Sequence, residues 1–127
     1  MLIPTSIRDI LIIVDKLKNG VDVHKCKVDG KMVQIQSSKM QAEDSLTALQ
    51  ITCAYKDGDE TIGLEAHHPI QGGQDVIKVS GADVEGPDID IRLVPHLTYA
   101  DVKVTLQFHK GDVAHTIELY GKIASVL

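Results

Sequence analysis

Aromatic side chains are scarce in this chain of 127 residues, which has no Trp, one Phe (Phe108) and three Tyr (Tyr55, Tyr99, Tyr120). A core must therefore be assembled from Val, Ile, Leu and Ala. Surfaces that stack nucleobases or sugar rings need several exposed aromatics, and almost none are left for that purpose. Arginine is rarer still, only Arg8 and Arg92, so bidentate phosphate contacts have little to draw on. No apolar run approaches the ~18 residues of a membrane helix. Met1-Leu2-Ile3-Pro4 has no basic region ahead of an apolar one, and the apolar stretch Ile10–Val14 is flanked by Asp9 and Asp15 with no small-residue cleavage site after it. The reading is a cytoplasmic protein, or one assembled into a particle, with no signal peptide and no membrane partner. Cys26 and Cys53 are the only cysteines and read as reduced thiols, with a disulfide reserved for an extracellular setting.

Acid outweighs base, with a net charge of −5, and the distribution matters more than the total. Residues 1–56 carry eight Lys/Arg against six Asp/Glu, residues 57–91 carry Lys78 alone against nine acids, and residues 92–127 carry four against three. An acidic middle segment argues against nonspecific nucleic-acid binding, which depends on neutralising phosphates.

What is present is period-2 alternation. Val102, Val104, Leu106 and Phe108 alternate with Lys103, Thr105, Gln107 and His109; after Lys110-Gly111-Asp112 the pattern resumes at Val113, His115, Ile117 and Leu119. That is an antiparallel hairpin with one buried face. Val104, Leu106, Phe108, Ile117 and Leu119 are the expected centre of the core, and Gly121 and an apolar tail, Ile123–Leu127, follow. Upstream, Val21–Val28 and Met32–Gln36 flank Asp29-Gly30, a short-hairpin signal. Ser37–Ser45 is polar and reads as a loop. Leu46–Tyr55 places Leu49, Ile51, Cys53 and Tyr55 on one face, and Thr61–His67 places Ile62, Leu64 and Ala66 inward. Pro69 and Gly72-Gly73 lie in a longer loop, Val76–Ser80 is a short strand, and Gly81–Asp88 is an acidic loop. Ile89, Ile91 and Leu93 then alternate up to Pro95.

The one helical pattern comes first: Ile7, Ile10, Leu11, Val14 and Leu17 at helical spacing, N-cap oxygens on Thr5 and Ser6, Ser6-x-x-Asp9 akin to a capping box, Ile3 as a staple, and Asn19-Gly20 as the stop. The expectation is a single domain over 1–127, with a helix at 6–18 and antiparallel β-structure over 21–122. By count the class is α+β and by mass mainly β: a sandwich or partly open barrel of about eight strands with one N-terminal helix.

Six histidines raise the question of a metal: His24, His67, His68, His96, His109 and His115. His24 and Cys26 share a strand face by spacing, and His67-His68 ends a strand, yet zinc needs three or four converging ligands and no CxxC or HExxH is present. Half-buried histidines with ordinary hydrogen bonds account for them more simply. The acidic groups Asp57, Asp59, Glu60 and Asp83, Glu85, Asp88, Asp90 lack EF-hand spacing, and turn chemistry explains them. No G-x-S-x-G, P-loop or G-x-G-x-x-G occurs, and Gly72-Gly73 alone does not imply phosphate binding. A cysteine nucleophile with a distant histidine would need a thiol outside a strand interior. No catalytic residue, cofactor or metal is assigned.

The helix is apolar over more than one face, with Ile12 and Ile13 beside the main stripe, and the tail is apolar as well. With opposite charge in residues 1–56 and 57–91, these favour a non-enzymatic structural or interaction protein. It would act on a protein partner or on itself, as a homo-oligomer or a component of a larger assembly. By fold-level analogy that assembly is a phage-like particle, hence a viral protein in virion assembly, or a secretion machine. The alternative class is a small-molecule binder using a barrel mouth lined by His67, His68 and His96, and a third is a small hydrolase without a recognisable motif.

Overall fold

The computed structural model describes residues 7–43, 47–70 and 72–124, with side chains from residue 10 onward. After helix α1 (Ile7–Lys16) come ten strands: β1 (Val23–Val28), β2 (Lys31–Met32), β3 (Ile35–Ala42), β4 (Ala48–Asp57), β5 (Glu60–Pro69), β6 (Val76–Val79), β7 (Ala82–Asp83), β8 (Glu85–Pro95), β9 (Tyr99–Lys110) and β10 (Val113–Ala124). They form two antiparallel sheets of five strands, in the orders β2-β1-β10-β9-β8 and β3-β4-β5-β6-β7. The sheets do not close into a barrel, so the architecture is the sandwich. The eight expected strands become ten because two strands of two residues each turn back at the sheet edges.

The closing hairpin has the predicted register, with Ile117 opposite Leu106 and Leu119 opposite Val104. Those four side chains are fully buried, in one cluster that also takes Leu49, Ile51 and Leu64 from the facing sheet. Phe108 is buried too, but it lines the open end of the sandwich rather than its centre.

Four expectations are corrected. Ser37–Ala42 is strand, not loop: Met40 is fully buried and Ala42 nearly so, facing in from β3. The apolar signal is thin because Ser38 occupies one of the four inward positions of this edge strand. His24 and Cys26 do not share a face. A bulge between Val23 and Lys25 shifts the phase, so that Val23 and Cys26 point inward and His24 outward. Gly81–Asp88 is not an open loop either. It is a two-residue turn, β7, and the start of β8, with a register shift between Glu85 and Asp88 that absorbs Gly86-Pro87. The helix ends at Lys16, and its inward stripe is Ile13, Val14 and Leu17, while Leu11 is 61% exposed. Thr5, Ser6, Ile3 and residues 125–127 lie outside the described residues, as does the side chain of Ile7.

The sheet edges are short or plugged. The Ser38 hydroxyl accepts from the Val23 N–H (2.9 Å) and donates to the Val23 carbonyl (3.1 Å), while Val21 and Met40 exchange backbone bonds beside it. This corner ties β1 to β3. On the opposite flank the Asp75 carboxylate accepts from the Ile89 N–H of β8 (2.8 Å) and from His68 of β5 (2.7 Å). Such devices prevent strand-to-strand aggregation. Helix α1 reaches β3 and β8, covering one end of the sandwich, where the Ala42 N–H donates to the Leu17 carbonyl.

Candidate functional site

The end opposite α1 is built from four hairpins, each with a two-residue loop. The closing pairs are Val28 with Lys31, Asp57 with Glu60, Val79 with Ala82, and Lys110 with Val113. Asp29-Gly30 and Ser80-Gly81 have both loop residues at positive φ, the type I′ signature. In Gly58-Asp59 and Gly111-Asp112 only the glycine does, as type II′ turns require. These turns match the strand twist and fix the register of the strands they join.

All four hairpins line one cleft of about 370 Å³. Its apolar wall includes Val28, Val33, Tyr55, Ile62, Val79 and Phe108, and its polar rim includes Asp29, Lys31, Asp57, Ser80, Lys110 and His115. Asp29 is committed: its carboxylate accepts from the Thr116 N–H and pairs with His115, both at 2.8 Å. Partial burial pushes the Asp29 carboxyl up, but the Thr116 amide and the His115 imidazole outweigh it and hold it below its ordinary value. Tyr55 is 5% exposed. Burial, with Cys26 and Asp57 nearby, pushes its phenol up to about 12, so it is a neutral donor at physiological pH. Among the described residues its hydroxyl has no hydrogen-bond partner.

A second polar cluster lies on the outer face of the β1-β10-β9-β8 sheet. His24 and His96 bind the two oxygens of Asp101, at 3.1 and 2.9 Å. His96 stacks on Tyr99 at 4.4 Å, Lys25 and Lys103 lie over the Tyr120 ring, and Lys103 pairs with Glu118 at 3.2 Å.

Apart from His24 and His96, which share Asp101, the histidines lie apart, and the three expected at a barrel mouth do not meet. His67 pairs with Glu43, His68 with Asp75, and His96 with Asp101, three separate carboxylates. The His-lined barrel mouth has no barrel to open from. Among the described residues no three His, Cys, Asp or Glu side chains form a group that could hold a metal ion. Asp90, from the second acidic group, is paired with Arg92 at 2.7 Å.

Cys26 and Cys53 are free and buried. One comes from each sheet, and the two thiols are neighbours within the core. The Cys53 thiol and burial push the Cys26 thiol up, while the same pairing holds Cys53 down; both are buried in the core, away from any substrate. The cleft was not legible as a site, because its parts are spread over residues 28–117. The recurring X-Gly and Gly-Asp turns were the available signal, but no spacing rule says that four hairpins share one end.

No protein-family model, curated protein or solved structure matches this chain.

Proposed function

We propose that this protein is a non-enzymatic interaction protein that associates head to tail with copies of itself, as a homo-oligomer or within a larger assembly. The observation that carries the reading is the segregation of charge onto opposite flanks. Strand order places β1, β2 and β3 on one flank, with β1 against β3, and β6, β7 and β8 on the other, with β6 against β8. The first flank carries Lys25, Lys27, Lys31 and Lys39 against Asp22 and Asp29. The second carries Asp75, Asp83, Glu85, Asp88 and Asp90 against Lys78 and Arg92. The uneven charge of the linear sequence is thereby a lateral dipole.

Unlike flanks attract, so one molecule's basic edge meets the next one's acidic edge. A repeated heterologous contact of this kind closes into a ring when the rotation allows it, which is the geometry a tube or connector needs. Because the edges are plugged, the contact runs through side chains rather than added strands. Leu11 on α1 and Leu97 between β8 and β9, 61% and 95% exposed, are apolar groups available to strengthen it.

Sedimentation or light scattering at low and high salt tests this. Association is expected at low salt and weakens toward 1 M, where the Debye length falls to about 3 Å. A Lys27→Glu/Lys39→Glu variant and an Asp83→Lys/Glu85→Lys variant should each be monomeric alone and associate when mixed. A wild-type chain that stays strictly monomeric at high concentration in low salt overturns the reading.

A further inference from the structure

The cleft at the hairpin end shares Asp29 and Lys31 with the basic flank, but its apolar wall takes no part in the lateral contact, and its chemistry calls for a ligand of its own. Its volume, about 370 Å³, lies within the range of about 300–1,000 Å³ common to small-molecule sites. Its wall is apolar, and one polar group, the Tyr55 hydroxyl, is held there by a side chain that is 95% buried and without a partner among the described residues. Among the described residues no fully buried side-chain polar atom lacks a partner, so this hydroxyl is open to solvent from the cleft, where a ligand can take the place of water.

The rim decides the sign of the ligand. Asp29 is taken by His115 and the Thr116 amide. Lys31 on β2 and Lys110 on β9 carry no ion pair among the described residues, and neither does Asp57. Asp29 keeps its charge, so the lining as a whole is balanced, but both its oxygens are occupied; among the groups free to meet a ligand, two ammonium groups stand against the one carboxylate of Asp57. We propose that the cleft binds a small amphipathic carboxylate, its apolar body against Val33, Ile62, Val79 and Phe108 and its carboxylate drawn by Lys31 and Lys110, with the Tyr55 hydroxyl donating a hydrogen bond to it. The hairpins hold this site preformed, so ligand binding costs little reordering.

The test is a titration followed by amide chemical shifts, using octanoate, octanol and octylammonium as three probes with the same apolar body. Shifts should concentrate in residues of the four hairpins, and affinity should fall in the order octanoate, octanol, octylammonium. Lys31→Gln/Lys110→Gln should cost octanoate about threefold to fivefold, the scale of partly exposed charge contacts, and leave octanol unchanged. Asp57→Asn should strengthen octanoate. Tyr55→Phe should weaken octanoate without moving the site. If that variant does not fold, the lysine and Asp57 variants, which alter only the rim, still decide the matter. No shift in the hairpin amides at millimolar probe, equal binding of the three, or tighter binding of octylammonium overturns the proposal. Lateral association is read separately by light scattering, so failure of one does not mimic failure of the other.

Discussion

Asp101 carries two imidazoles, His24 from β1 and His96 from the β8–β9 connection, one on each oxygen. Partial burial pushes its carboxyl up, but His96 and His24 outweigh burial and hold it below its ordinary value. A carboxylate depressed in the folded state contributes stability above the unfolded value of about 3.9, and that contribution disappears as pH falls through the folded value. Asp101→Asn should therefore cost about 1 kcal/mol at pH 7, and the gap between variant and wild type should close as pH falls below about 4. Denaturation curves at a series of pH values measure it. The core residues separate in a different way. Leu119 is fully buried at the middle of the closing hairpin, whereas Phe108 borders the cleft. Leu119→Ala should cost about 3–4 kcal/mol, and Phe108→Ala should fall near 3, the low end of its class, because its void opens to water. An Ala variant at 108 costlier than that at 119 would show that the cleft end, not the middle, carries the packing.

At the scale of elements, the hairpins show what was legible and what was not. Strict alternation exposes β4, β5, β9 and β10, because each buries alternate residues over its central part (residues 49–55, 64–66, 100–108 and 117–123) and the side-chain period is two. It fails on β1 and β3 for separate reasons: a bulge of one residue in β1 reverses the phase at Val23, and β3 places Ser38 where the alternation calls for an apolar residue. Asp29-Gly30 was readable as a turn because both residue types tolerate positive φ. Ser80-Gly81 is not readable in that way because Ser is an uncommon choice there, and its φ of 53° is a left-handed conformation that costs most residues roughly 1–2 kcal/mol. Ser80→Asn, which relieves that cost in a type I′ turn, should raise the unfolding free energy by about 0.5–1 kcal/mol. An unchanged denaturation midpoint would mean that the Ser80 side chain compensates for its backbone.

For the whole molecule, the fold class was open to sequence reasoning because it rests on local periodicity, and the candidate cleft was not because it rests on which strand ends meet. Charge lies between the two: an excess in a segment becomes a flank only when sheet order puts neighbouring strands of the chain on the same side. Sheet order has a further consequence, in time. The β3-β4-β5-β6-β7 sheet is a meander in which every strand pairs with its sequence neighbour, and β8, β9 and β10 do the same. Only β1 reaches across the chain, pairing Val28 with Ile117 and Cys26 with Leu119. The meanders can form from short loops, while the β1–β10 pairing must close a loop of most of the chain before any contact repays it. Folding is therefore expected to start in the middle and the C-terminal strands and spread outward. On that order the strand carrying Cys26 docks last, and the two thiols meet only when the sandwich has shut.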